Sequence, residues 1–290
     1  MIPYNSINQY IGANIELTYA SAMQLSSDEL RDLLFTKKVL VFKAWNNLTV
    51  TELGDFAAKF GTRWTVGQYI KIKEDARLDS QGNAYTNYTD TSYSRLSSGI
   101  PWHADIANEI ELPRYPARLL YCAGLPSKFV GLTTDYCNLA MAFDHLTDAQ
   151  KLELENIYYV YQSWQQLGTN IVELPAIEIH PYTRQKFIRL NAVSADRGWI
   201  RGWYKLNDDG TKTYLDNNQL KKIVSQIGEE YQYSHSWEVG DLIIWDNWAT
   251  MHRKGAGTIH ESSRGARKFI RISIDTGLDD TYCNANTNTE

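Results

Sequence analysis

Gly99-Ile100-Pro101-Trp102-His103-Ala104-Asp105 sets an imidazole and a carboxylate two residues apart at the end of a short apolar run. Alternate side chains of a strand leave the same face, so His103 and Asp105 would project together while Trp102 and Ala104 turn the other way. By itself the pair also fits a histidine in a turn beside a solvated aspartate. A third group changes the balance. Gly240-Asp241-Leu242-Ile243-Ile244-Trp245-Asp246-Asn247-Trp248-Ala249-Thr250-Met251-His252 leaves a Gly-Asp turn, runs through an apolar strand and ends on a second histidine. Two histidines and one carboxylate from separate strands, with the remaining positions open, make the facial triad of non-haem Fe(II) oxygenases.

Beyond His252 a loop rich in Gly and polar residues leads into Arg267-Lys268-Phe269-Ile270-Arg271-Ile272-Ser273-Ile274. On a strand, Arg267, Phe269 and Arg271 share one face, and Ile270, Ile272 and Ile274 share the other. The isoleucine face would pack outward. The opposite face carries two guanidinium groups, whose planar fork suits a carboxylate held by two hydrogen bonds. A structural ion pair with an internal Asp or Glu is the competing explanation.

The order of these motifs resembles a known family. His-x-Asp, a Gly-x-Thr segment (Gly131-Leu132-Thr133), a His-Pro hairpin, Trp-Asp-Asn followed by His, and a closing strand with two Arg are similar to the taurine/2,4-D dioxygenase family of Fe(II)- and 2-oxoglutarate-dependent enzymes, over about residues 15 to 276. The resemblance implies that His103, Asp105 and His252 bind Fe(II), and that Arg267 holds the distal carboxylate of 2-oxoglutarate. It implies a hydrogen bond from Thr133 to the same cofactor, and a role for Arg271 towards cofactor or substrate. The implied reaction uses O2, releases succinate and CO2, and oxidises an unactivated C–H bond. Asp105 separates the chain from related halogenases, which place a small residue there to admit halide. Taurine-specific members carry an Asn shortly before His-x-Asp and a histidine in the earlier loop. Ser97-Ser98-Gly99-Ile100 stand here instead, which argues against taurine.

Composition sets the outer limits. A chain of 290 residues, 43% apolar and 22% charged, is globular, and no repeat or linker divides it. One domain over 1–290 is expected. A net charge of −5 and a pI near 5.7 argue against a general nucleic-acid binder. No run approaches the roughly 18 apolar residues of a membrane span, and the N-terminus lacks a basic segment followed by an apolar one. The expected setting is therefore cytoplasmic, with a small-molecule substrate and no nucleic-acid or membrane partner; a homo-oligomer is left open. Cys122, Cys137 and Cys283 are odd in number with no Cys-x-x-Cys spacing, and are expected to be reduced, buried and inert.

Along the chain, Leu25 to Leu34 begins with capping residues and carries Leu30, Leu33 and Leu34 at helical spacing. Lys38 to Phe42 reads as a strand. Thr49 opens a second helix with Leu53, Phe56, Ala57 and Phe60 on one side, stopped at Gly61. This helix-strand-helix segment, 1–62, should cover one sheet of a barrel. Residues 64–98 mix tyrosines with Gly, Asn, Asp, Thr and Ser without a period, with a strand expected over Gly67 to Lys73. This is a loop region that either packs on itself or forms a substrate pocket and lid, with Gln68, Tyr69 and Tyr88 as candidate substrate contacts.

Further on, Pro116 to Cys122 and Gly131 to Tyr136 read as strands, Ala140 to Ile157 as one helix, His180 to Asn191 as a hairpin and Leu215 to Tyr231 as a helix. His145 is expected to be a surface or cap residue, His180 to be structural, and His235 and His260 remain unassigned. Residues 277–290 are a polar tail. Many short strands with flanking helices suit a mainly β, α+β fold with a double-stranded β-helix (jelly-roll) core and a site in its mouth. Two other functions use some of the same residues. A hydrolase could hold Zn(II) on the triad to activate water, and a non-catalytic jelly-roll could keep only the fold. Within the oxygenase reading, the Tyr- and Trp-rich composition also fits an isonitrile-bearing amino-acid derivative that is desaturated with loss of its carboxylate.

Overall fold

Alternation along Arg267–Asp275 divides the molecule into its layers. The computed structural model describes residues 2–63, 76–78, 84–90, 100–105, 116–162, 171–193, 200–255, 257–259 and 267–276. Ile270, Ile272 and Ile274 enter a core with Leu30, Leu34, Phe35, Leu53, Phe56 and Phe60. Phe269, one residue out of phase, enters another with Val39, Val41, Cys122, Tyr136, Ile243 and Trp245. A one-residue slip would exchange the two faces, so this pattern fixes the register.

Among the described residues the larger sheet has nine strands. Its path runs Asn5–Ser6, Ala13–Ile15, Val39–Phe42, Leu242–Asp246, Ala117–Gly124, Arg267–Asp275, Ala84–Asp90 and Ala76–Leu78, with Thr62–Arg63 branching from Arg267–Asp275. The second sheet runs Gln232–His235, Thr134–Asn138, Thr250–Lys254 and Ile100–His103. The core around Tyr136 and Trp245 draws residues from both sheets and fills the space between them, as a jelly-roll requires. Behind the second sheet, Cys137, Met251 and Trp102 pack with Leu220 and Val224 of the helix Asn217–Glu230. A further four-stranded sheet built on Ile157–Gln162 and Ile200–Leu206 joins the same cluster.

The helix-strand-helix cover forms as the sequence indicates. Ser26 caps Ser27–Lys37 by accepting from the Glu29 N–H, and Thr49 and Glu52 form a reciprocal capping box on Val50–Ala57. This second helix ends at Ala57, short of Gly61. The span 140–157 is two helices, Leu139–Asp144 and Asp148–Glu155, because Thr147 and Gln150 form a second capping box that starts a new helix inside the expected one. His145 is the C-cap of the first. The expected strand from Gly131 is also interrupted, since Gly131 (φ 78°) and Leu132 (φ 59°) are left-handed and separate Phe129–Gly131 from Thr134–Asn138. Gln68, Tyr69, the Gly67 to Lys73 strand, His260, Cys283 and the 277–290 tail lie outside the described residues. No described helix is long and apolar enough to cross a membrane.

Candidate metal centre

His103, Asp105 and His252 come together between the two sheets, with one ligand atom from each lying within 4.8 Å of the others. Main-chain pairing does most of this. His252 is opposite His103 in one direction and Tyr136 in the other, so both imidazoles share a face of the second sheet, and their ring centroids are 4.4 Å apart. Trp102 turns away as alternation demands, packing under the Arg253 guanidinium on the outer face. Asp105 departs from the simple strand reading. Ile100–His103 ends at the histidine, and Asp105 converges on the site from the turn that follows.

The donor set suits a divalent cation. Nδ1 of His103 lies 2.8 Å from the Pro101 carbonyl, an arrangement that places the ring proton there and leaves Nε2 to face the Asp105 carboxylate at 3.9 Å. Nε2 of His252 is 3.6 Å from the other carboxylate oxygen. Burial lowers the pKa of both imidazoles, to about 3 for His252, where nearby His103 adds to the effect. For Asp105, burial pushes upward, but Arg118, His252, Arg271 and His103 together hold the carboxyl well below the usual carboxylate range. Two neutral imidazoles and an ionised carboxylate are the protonation states a metal needs.

Two guanidinium groups, Arg118 and Arg271, approach this triad from the larger sheet, and a third, Arg267, lies on the same strand as Arg271. Arg267 is buried and lies over the ring of Phe269, 4.5 Å from its centroid. Arg271 Nη1 is 4.0 Å from Asp105 Oδ2. Arg118, which the motif reading passed over, is 1% exposed with Nε 3.2 Å from the same oxygen. Its strand register, opposite Ser273 and Trp245, places it on the face shared with Arg271. The available signal was a lone charge inside the apolar run Ala117-Arg118-Leu119-Leu120-Tyr121-Cys122. Asn247, within the Trp-Asp-Asn motif, brackets the Asp105 main chain through its amide.

The remaining candidates fall into place around these groups. Thr133 stands just before the strand Thr134–Asn138, its carbonyl accepting from the Gly255 N–H at 2.9 Å. Thr134 is buried within the strand, and its hydroxyl accepts from Trp237 Nε1. Tyr88 is opposite Phe269 on the strand beside the two arginines, a placement that concerns its backbone alone. His180 is structural: it is fully buried, accepts two amide N–H groups at Nδ1 and faces Asp246. So is His235, buried between Tyr233 and Asp241 in the strand Gln232–His235. Cys122 and Cys137 are buried and unbridged, and burial pushes the Cys122 thiol up to about 12 and Cys137 further still.

A family model described as taurine catabolism dioxygenase TauD, TfdA family, matches residues 3–271. The chain belongs to that family. It is thus an iron- and 2-oxoglutarate-dependent dioxygenase with the jelly-roll fold of its relatives. The alpha-ketoglutarate-dependent 2,4-dichlorophenoxyacetate dioxygenase of Cupriavidus pinatubonensis is 26% identical over 278 residues, covering 88% of this chain and 91% of that protein. The tyrosine isonitrile desaturase of Erwinia amylovora is 24% identical over 262 residues, 84% of this chain and 80% of its own. A solved taurine dioxygenase from Burkholderia xenovorans superposes with a TM-score of 0.69 at 18% identity, covering 94% of this chain and 89% of that one. The hydrolase and the non-catalytic readings both give way to this membership.

Proposed function

We propose that the chain oxidises a small anionic or amino-acid-derived molecule, by hydroxylation or desaturation, with release of succinate and CO2. The observation that carries this reading is the placement of Arg118 and Arg271 beside Asp105 of a His-Asp-His triad, with buried Arg267 on the same strand as Arg271. Such a concentration of guanidinium groups in a buried site favours anionic ligands. Bound Fe(II) and 2-oxoglutarate supply the oxidising chemistry; the protein supplies orientation and excludes water.

In this reading Nε2 of His103, Nε2 of His252 and the Asp105 carboxylate hold the metal. Arg267 binds the distal carboxylate of 2-oxoglutarate, its plane fixed by the Phe269 ring beneath it. The resemblance points to Thr133 for the accompanying hydroxyl. Strand alternation favours Thr134, which shares a face with Tyr136 and thus with His252 across the ladder. Arg271 meets the acidic group of the substrate, or shares the cofactor with Arg267. Gln68, Tyr69 and Tyr88 set substrate preference from the loop region. The unbridged Cys122 and Cys137 support a reducing, cytoplasmic setting.

A second reading narrows the substrate to an isonitrile-bearing amino-acid derivative. It is favoured by the match to the Erwinia tyrosine isonitrile desaturase, which covers 84% of this chain and 80% of that protein. Arg271 would then hold the carboxylate that is lost as the double bond forms. Anaerobic optical titration with Fe(II) and 2-oxoglutarate, followed by amino acids, their isonitriles, aryloxyacetates and sulfonates, separates these possibilities. A visible charge-transfer band that needs both iron and 2-oxoglutarate, and shifts with a carboxylate-bearing candidate, is the expected result. A shift with neutral compounds only would overturn the anionic assignment.

A further inference from the structure

Asp105 is the member of the triad that no strand holds. The ladder between Ile100–His103 and Thr250–Lys254 stops at His103, and a turn residue beyond a ladder has little of its own to fix its main chain. Two side chains from distant parts of the sequence close on it. Asn247 accepts from the Asp105 N–H at 3.2 Å through Oδ1 and donates to the Asp105 carbonyl at 2.8 Å through Nδ2. Its own N–H bonds to the Pro116 carbonyl at 3.0 Å, tying the clamp to the entrance of the strand that carries Arg118. Arg118 Nε then approaches Asp105 Oδ2 at 3.2 Å, with Arg271 Nη1 behind it at 4.0 Å. The two oxygens each face one imidazole, Oδ2 at 3.6 Å from Nε2 of His252 and Oδ1 at 3.9 Å from Nε2 of His103. Both Asn247 and Arg118 are 1% exposed, so neither geometry depends on a mobile surface group.

We propose that Asn247 and Arg118 are positioning residues for Asp105: Asn247 fixes its main chain, and Arg118 fixes the orientation of its carboxylate beside the two imidazoles. This inference rests on the triad being the iron site.

The test uses Co(II) as the probe, titrated into the full-length, metal-free chain and followed by its visible spectrum. Wild type, His103→Ala, Asn247→Ala, Asn247→Ser and Arg118→Lys are compared well below their thermal midpoints, with circular dichroism confirming the fold. Arg118→Lys keeps the charge, so a change there reports geometry and not the loss of a cation beside the ion. Asn247→Ala should weaken Co(II) binding by about 10–100-fold, the usual cost of losing a group that orients a ligand. Asn247→Ser serves the same purpose if the alanine variant does not fold. Arg118→Lys should alter the Co(II) spectrum, because a point charge replaces the planar group that orients the Asp105 carboxylate. Wild type that fails to bind Co(II), or His103→Ala that binds it as tightly, overturns the iron-site reading and this inference with it. Wild-type binding accompanied by folded Asn247 variants within twofold of it overturns the positioning role alone. An unchanged spectrum in Arg118→Lys overturns the positioning role of Arg118.

Discussion

Replacing Asp246 by Asn should unfold the protein far more readily while leaving every triad residue in place. The Asp246 side chain is fully buried, with Oδ2 3.1 Å from Lys38 Nζ and 3.0 Å from His180 Nε2. Oδ1 accepts the N–H groups of Trp248 at 2.9 Å and Ala249 at 3.3 Å. Lys38 is itself 1% exposed and has the Phe35 carbonyl as a further partner. Asparagine can keep the contacts of Oδ1, but it turns an NH2 group towards an ammonium and leaves that charge buried without its counter-ion. Breaking a buried pair in this way costs about 3–5 kcal/mol, against a total stability of about 5–15 kcal/mol. At about 2–4 °C per kcal/mol for a chain of this order of size, the thermal midpoint should fall by about 6–20 °C. Urea unfolding followed by circular dichroism at neutral pH gives the free energy directly. The pH dependence has a definite sign. Burial raises the Asp246 pKa, but His180 and Lys38 outweigh it and hold the carboxyl well below its ordinary value near 3.9. A depressed folded-state pKa gives stability that is full above the unfolded value and is lost as pH falls through the folded one. The wild-type advantage should therefore persist from neutrality down to about pH 4 and shrink in stronger acid. Adding Lys38→Met should recover part of the loss, since no unpaired ammonium then remains. A folded Asp246→Asn protein within about 1 kcal/mol of wild type, or a double variant as costly as the sum of the two, would refute the argument.

Other perturbations test the site itself. His103→Ala and Asp105→Ala should each abolish stoichiometric iron binding, measured by metal analysis after desalting, while retaining the wild-type circular dichroism spectrum. Arg267→Ala should raise the 2-oxoglutarate Kd by about 10–150-fold, corresponding to about 1.5–3 kcal/mol for a charge-assisted contact; a larger effect from Arg271→Ala would exchange the two assignments. Thr134→Val should weaken 2-oxoglutarate binding more than Thr133→Val in the same titration, and the reverse order would restore Thr133 to the cofactor. Gly228→Ala should destabilise by about 1–3 kcal/mol in urea unfolding, although alanine is the better helix former, because the new Cβ would lie 2.3 Å from Trp102 Nε1. A stabilised variant would show that the helix and the His103 strand are not packed as described.

How much of this was legible beforehand depends on whether a feature is local in sequence. The two faces of Arg267–Asp275 follow from alternation alone, and the cover follows from caps at Ser26 and Thr49 that lie within three residues of their partners. His103 and His252 could be singled out because each closes an apolar run of sequence, although His252 lies inside Thr250–Lys254, a strand separate from Leu242–Asp246. The break at Thr147 was equally local, but the apolar spacing on both sides masked a capping box that outweighs it. Arg118 and Asn247 belong to a different class. Each has an ordinary local setting, and each acquires its meaning from pairings that span much of the chain: Ser273 opposite Arg118, and the Asn247 amide on a residue 142 positions away. Such pairings are set by how strands are ordered in a sheet, which local periodicity does not encode. The physical clue was a cost left unexplained. A guanidinium in an apolar strand and an amide after Trp-Asp must both be desolvated, and a folded chain bears that cost only where a partner waits. Looking for the partner of each buried polar residue, and not only for metal-ligand spacing, would have led from Arg118 and Asn247 to the same aspartate.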